Sequence, residues 1–171
     1  MTKIILNECY GGYDWSNHAL VDYFERKGWT PEFRRFNGYK DESHWEPNYA
    51  PITKEQFLNQ DNPTDKTYLY GCEIAREGKT FHGNCINRKD SDAVALLEEK
   101  GSEYCSAQYS HLAIEEIDEE TYRWDINEYD GYESIVLTHL LTEEMVRNCK
   151  DVDEIIKLLK EANAFHYPDE F

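Results

Sequence analysis

The sequence predicts an α+β fold, with a mixed sheet, helices mainly on one face, and further helices at the C-terminus. A short apolar run at residues 4–6, a glycine pair and a helical pattern together indicate a strand–turn–helix unit. Later stretches of strand-forming residues flank turn residues, as in hairpins. The last third places capping residues before apolar positions at helical spacing. At 171 residues the chain fits one domain, residues 1–171.

The first unit joins a buried strand to a helix through Gly11-Gly12, a pair that can adopt positive φ in a tight turn. Ser16 is a suitable N-cap, and the helix that it begins is expected to stop at Gly28. Backbone amides at such a helix N-terminus can gather around an anion. Many proteins use the same turn only to connect two elements, so both interpretations stay open.

A second strand is predicted at Thr30–Phe36. Residues 37–67 then mix turn-forming residues with several aromatics, including Tyr39, His44, Trp45 and Tyr49, and predict a long loop or insertion. Within that segment Thr53 can cap a short helix at Lys54–Asn59.

A hairpin, a helix and a further pair of strands follow. The hairpin has strands at Tyr68–Ala75 and Lys79–Ile86 around residues 76–78. The helix, capped by Asp90 or Ser91, spans Asp92–Lys100 and is ended by Gly101. The two later strands, His111–Ile117 and Thr121–Glu128, are joined through residues 118–120.

The C-terminal third is predicted to be helical after a turn at Asp130-Gly131. Thr142 caps one helix, and Asp151 with Glu154 forms a capping box for a helix at Val152–Ala162. That last helix carries a continuous apolar stripe, which either packs on the core or belongs to a detachable helix that binds a partner. The stripe consists of Val152, Ile155, Ile156, Leu159 and Ala162.

The negative charge is concentrated in the C-terminal third of the chain. The net charge is −17; residues 115–171 hold 17 acidic and 5 basic side chains, whereas residues 1–114 hold 18 and 13. No basic stripe is present to release phosphate counterions, which argues against direct nucleic-acid binding. The surplus serves either solubility or mimicry of nucleic-acid charge towards a basic protein.

The sequence lacks several features that would indicate a membrane location, a secreted protein or a known catalytic or cofactor-binding motif. No apolar stretch approaches the roughly 20 residues of a membrane span, and the first residues lead directly into a strand, so neither membrane insertion nor a signal peptide is expected. Five scattered cysteines without a C-x-x-C pair favour reduced thiols in a cytoplasmic protein. No Walker loop, dinucleotide fingerprint or Ser-His-Asp spacing is found, and no cofactor is expected.

Metal binding and catalysis receive weak support. Cys72, His82 and Cys85, with His111 more distant, lack the paired short spacings of a zinc site. Residues 125–136 fail the register of a calcium loop. Cys9 could be a nucleophile if a histidine such as His18 lay beside it, but cysteine at the end of a buried strand is usually an apolar filler.

Two motifs resemble a known group of proteins. Residues 7–13 read N-x-C-Y-G-G-Y, and residues 124–133 read W-x-I-x-E-Y-D-G-x-E, with Arg88-x-Asp90 between them. In this order they resemble small proteins encoded by tailed bacteriophages and prophages, a group without an assigned function. The resemblance covers roughly residues 1–36 and 84–135. It implies a setting, the cytoplasm of an infected bacterium, and no particular chemistry.

The predicted ligand site brings the glycine turn, Arg88 and the acidic turn to one sheet edge. Arg88 would clamp a phosphate or carboxylate with its planar fork, tyrosines would stack on a base or ribose, and carboxylates would accept from hydroxyls. Alternatively, Arg88 forms an ion pair with Asp90 or Glu128 and the tyrosines are ordinary packing residues. The predicted ligand-binding residues are Asn7, Tyr10, Gly11, Gly12, Tyr13, Ser16, Arg88, Glu128 and Asp130.

Two functions follow from these features. The first is an accessory protein of a phage that binds a small anionic, nucleotide-like ligand and counteracts host defence or metabolism. The alternative is an acidic mimic of nucleic acid that inhibits a basic host nuclease or DNA-binding protein. An enzyme is the least supported class, and self-association into a homo-oligomer is left open.

Overall fold

A computed structural model describes residues 1–40, 47–59 and 72–163. Their strands and helices occur in short runs, every strand pair is antiparallel, and the α+β class is confirmed. The strands are β1 Thr2–Asn7, β2 Glu32–Tyr39, β3 Pro47–Pro51, β4 Cys72–Arg76, β5 Lys79–Phe81, β6 Leu112–Ile117, β7 Tyr122–Tyr129 and β8 Tyr132–His139. The helices are α1 Asn17–Arg26, α2 Lys54–Leu58, α3 Ser91–Lys100, α4 Ser102–Cys105, α5 Glu143–Arg147 and α6 Val152–Asn163.

The strands of the described segments form three small sheets in place of one mixed sheet. β1 pairs with β6, four strands follow the order β3-β2-β4-β5, and β7 pairs with β8, all antiparallel. β6 was expected to connect with the next strand as a hairpin, but it pairs with β1. The hairpin lies one step later, where Asp130 and Gly131 both have positive φ (50° and 86°). Such two-residue turns join antiparallel strands directly, so the chain continues into β8, a strand that sequence reasoning missed.

β1 lies between two apolar clusters because alternate side chains point to opposite faces. Ile5 belongs to the main core, which also contains Trp15 and Phe24. Ile4 and Leu6 belong to a smaller cluster on the other face. That second cluster attaches the β7–β8 hairpin to the rest of the molecule through Trp124, Ile126, Ile135 and Leu137.

Local capping signals are confirmed. Ser16 Oγ accepts a hydrogen bond from the Ala19 amide, Thr53 forms a full capping box, and Asp90 accepts from two amides at the start of α3. Gly101, with φ of 82°, ends α3 as expected. Each signal involves residues within a few positions of one another, so no long-range information was needed.

Several boundaries differ from expectation. β2 extends to Tyr39, and the predicted loop at 37–67 contains the unexpected strand β3, whereas the short helix predicted at Lys54–Asn59 is confirmed as α2. His44, Trp45 and the predicted strand residues 68–71 lie outside the described residues. None of the described helices has the length and apolar character needed to cross a membrane.

The apolar stripe of α6 is only partly buried. Val152 is 67% exposed, and Ile156 and Leu159 are each 43% exposed. Ile155 and Leu158 are half-buried, and α6 lies against β8. The helix therefore docks with one flank and leaves the stripe that runs through Ile156 uncovered by the described chain.

Candidate functional site

The structure brings together the three segments that the sequence analysis placed at one sheet edge. The turn at Gly131 packs backbone to backbone on the glycine pair, since a Cβ at Gly131 would lie 2.5 Å from the Gly12 nitrogen. A Cβ at Gly11 would lie 1.5 Å from the carbonyl oxygen of Tyr109. Gly11 and Gly131 are therefore required by close approach, whereas a Cβ on Gly12 would point into open space and only its φ of 90° favours glycine there.

Asn7 links these segments from a fully buried position at the end of β1. Its Nδ2 donates to the carbonyl oxygens of Cys9 and Gly131, each at 2.7 Å. Its Oδ1 accepts from the His111 amide at 2.7 Å. Both amide hydrogens are thus used inside the molecule, and the side chain holds the site together instead of facing a ligand.

Arg88 holds an internal carboxylate. Its two terminal nitrogens donate to the two oxygens of Glu133, each at 2.5 Å, and Nη1 also donates to the Ile5 carbonyl at 3.1 Å. Glu133 is only 5% exposed, and its Oε2 accepts from the Asn7 amide at 2.8 Å. The structural interpretation of Arg88 fits this geometry, with Glu133 as its partner where Asp90 or Glu128 had been expected.

Glu133 is the last residue of the motif at 124–133 and was not among the predicted site residues. A signal was present: Glu133 alternates with Ile135 and Leu137, so it lies on the buried face of β8. A carboxylate on that face requires a partner, but the identity of the partner depends on how the hairpin docks.

Tyr13 and Ser16 are buried and make contacts inside the molecule. The Arg88 guanidinium carbon lies 3.8 Å from the ring centre of Tyr13 and covers that face. The Tyr13 hydroxyl accepts from Trp15 Nε1 at 3.0 Å, and burial raises the pKa of Tyr13 to about 12. Ser16, besides capping α1, donates to the Tyr104 carbonyl at 2.7 Å.

Four tyrosines remain at the outer end of this assembly, and we call them the tyrosine tip. Tyr10 is 70% exposed, Tyr109 71%, Tyr129 76% and Tyr132 40%. The rings of Tyr10 and Tyr132 lie 5.7 Å apart, and Tyr129 is directly opposite Tyr132 in the hairpin register. Only Tyr10 was among the predicted site residues. Tyr129 and Tyr132 could have been found because they flank the Asp130-Gly131 turn, whereas Tyr109 joins the tip only through the fold.

The charges around the tip are negative. Glu8, Glu128 and Asp130 are exposed there, and Glu128 Oε1 accepts from the Gly131 amide at 2.9 Å. Residues 8–13 and 128–132 contain no lysine or arginine. Arg88 lies behind the tip and is paired with Glu133, so these two segments bring carboxylates to the tip and no cation of their own.

Thiol and metal chemistry gain no geometric support in the described chain. Cys9 Sγ lies 3.0 Å from the Tyr109 carbonyl oxygen, as a donor would. Across residues 1–40, 47–59 and 72–163, no group of three or more histidine, cysteine or acidic side chains is placed to hold a metal ion.

Comparisons with protein-family models, with curated proteins and with solved structures found no match to this chain.

Proposed function

We propose that this protein acts by binding a basic protein through the tyrosine tip and the acidic surface around it. The observation that carries the proposal is the combination of four exposed tyrosines with three exposed carboxylates at one end of the molecule. Tyrosine is enriched among the residues that dominate binding energy at protein interfaces. Its ring also attracts lysine and arginine, as do the neighbouring carboxylates.

A small anionic ligand fits this end of the molecule less well. Such a ligand would have to displace Glu133 from Arg88 and approach past three carboxylates. The Gly11 and Gly12 backbone is also partly covered by Gly131. The geometry thus favours the acidic-mimic function over the nucleotide-binding one.

The rest of the acidic surplus would support the same function. Residues 115–171 carry a net charge of −12, and such a field steers a basic partner towards the surface from a distance. A partner that normally binds DNA has the required positive surface. In the setting that the phage resemblance implies, the proposed target is a nuclease or DNA-binding protein in the bacterial cytoplasm.

The test uses bacterial proteins that bind DNA-cellulose, offered to the immobilised chain at low and high salt. We expect at least one such protein to bind at low salt, to be released at high salt, and to be displaced by double-stranded DNA. Tyr129→Ser and Glu8→Gln should each weaken its capture.

Tyr39→Ser and Glu55→Gln are the matched controls, since they remove an exposed tyrosine and an exposed carboxylate away from the tip. Capture that is equal for tip and control variants would refute the proposed surface. Stabilisation by nucleotides in a thermal-shift panel, without any DNA-displaceable partner, would favour the anionic-ligand function instead.

A further inference from the structure

The C-terminal helix α6 has two apolar flanks that differ in what covers them. Ile155 and Leu158 are half-buried on one flank, and α6 is in contact with β8. Val152, Ile156 and Leu159 recur at i, i+4 and i+7, so they form a second stripe along one side of the helix. That stripe is 67%, 43% and 43% exposed at its three positions.

Charged residues border the exposed stripe in an ordered way. At 100° per residue, Asp153 and Lys160 fall on the same side of the stripe, away from Ile155 and Leu158. Both side chains are exposed. They are seven residues apart, which is two turns or about 10.5 Å along the axis. The border is therefore acidic near the start of α6 and basic near its end.

This pattern is complementary to itself in only one orientation. When a second α6 runs antiparallel across a two-fold axis near Ile156, Val152 lies against Leu159 of the second copy. The same operation places Asp153 beside Lys160 of the second copy, and it does so twice. A parallel arrangement would instead turn this charged border towards the opposite flank of the second copy, where Ile155 lies, so Asp153 and Lys160 would not face each other. We propose that a second copy of this chain covers the exposed stripe through antiparallel pairing of α6.

Other occupants fit the stripe less well. Amphipathic helices that lie on membranes are rich in lysine and arginine on the polar face, whereas α6 begins with Asp153 and Glu154 and belongs to a chain of net charge −17. Three apolar side chains on a 12-residue helix give a small interface. We therefore expect a weak dimer that depends on protein concentration.

The experiment measures the mass of the full chain by sedimentation equilibrium, without any partner, between about 10 µM and 1 mM. Wild type should shift from monomer towards dimer over this range. Ile156→Gln should weaken the dimer at least tenfold. Asp153→Lys and Lys160→Glu should each weaken it too, because each creates two like-charged pairs across the axis.

Mixing the two charge variants gives the sharpest result. In a mixed dimer each new lysine at position 153 faces the new glutamate at position 160, and the two unchanged residues face each other, so dimer should form again. Lys150→Glu makes the same charge change as Lys160→Glu just before the helix and should leave the dimer unaffected.

A monomeric wild type at the highest concentration, or a mixture of charge variants that gains no dimer, would overturn the proposal. Because the tyrosine tip is unaltered in all these variants, their failure leaves the proposed binding of a basic protein untouched.

Discussion

At the scale of single residues, the ion pair of Arg88 and Glu133 is the contact that lies behind the tyrosine tip and supports it. The Glu133 carboxylate is almost fully buried. It accepts hydrogen bonds from both terminal nitrogens of Arg88 and from the backbone N–H of Asn7. Removing one partner of such a pair leaves an uncompensated charge in the interior, which costs more than the pair contributes when it is intact.

Arg88→Ala is accordingly expected to lower the free energy of unfolding by about 3–5 kcal/mol. Urea denaturation measures this loss. The double variant Arg88→Ala with Glu133→Gln should lose less, since the remaining side chain is then neutral. Unchanged stability in Arg88→Ala would mean that the guanidinium is available to a ligand after all.

Substitution of Gly11 and of Gly12 by alanine should destabilise the protein to different extents. Gly11→Ala would drive a Cβ into the Tyr109 carbonyl, so the loop must open. In Gly12→Ala the new methyl group points into open space. Only the positive φ then destabilises the folded state, by roughly 1–2 kcal/mol. We expect Gly11→Ala to lower the melting temperature at least twice as much as Gly12→Ala. Equal shifts would mean that the contact with Tyr109 is easily relieved.

At the scale of elements, the hairpin β7–β8 shows what the sequence could and could not predict. The turn at Asp130-Gly131 was predicted because its signal lies in two adjacent residues. That β6 pairs with β1 was not predicted, since pairing over more than one hundred residues leaves no local trace. The same reason explains the partner of Arg88: the sequence suggested an ion pair, but only the docking of the hairpin selects Glu133.

Glu119, just before the β7–β8 hairpin, binds side chains from three separate parts of the chain. It accepts hydrogen bonds from Lys89, Trp124 and Thr2, each at 2.7 Å. These bonds, with that from Lys89 the largest cause, lower the pKa of Glu119 from its ordinary 4.5 to about 2. A carboxyl whose pKa is depressed by folding stabilises the folded state above its unfolded pKa.

The stability contributed by Glu119 should therefore be complete near neutral pH and disappear as the pH falls from about 4.5 towards 2. Urea unfolding of wild type and Glu119→Gln at several pH values tests this. The difference between the two proteins should shrink in acid. A difference that is constant with pH would show that the charge of Glu119 contributes nothing.

The exposed stripe of α6 leads to a second prediction for an element. Leu159→Ala should cost less than about 1 kcal/mol in the monomer, because the side chain is 43% exposed. Leu96→Ala, in the fully buried centre of α3, should cost about 2–5 kcal/mol. Denaturation at low protein concentration compares them. A large loss in Leu159→Ala would mean that the stripe is covered within one copy.

At the scale of the whole molecule, the charge surplus affects folding and binding in opposite ways. The chain has 35 acidic residues and 18 lysines and arginines. At long range a carboxylate is therefore repelled by more charges than attract it. Self-repulsion of this kind opposes the compact state, and added salt screens it. Salt also screens the attraction between this surface and a basic partner.

Raising sodium chloride from about 10 to 150 mM should therefore raise the melting temperature, by roughly 2–4 °C if screening recovers 1 kcal/mol. Exposed ion pairs such as Lys3–Glu98 weaken under the same change, but each contributes little. Choline chloride serves as the control, because it gives the same ionic strength without a small cation that carboxylates could bind. An increase with both salts indicates screening of the surplus, whereas an increase with sodium alone indicates a bound ion. A melting temperature that falls with both salts would mean that the ion pairs outweigh the repulsion, and that the acidic surplus costs the fold nothing.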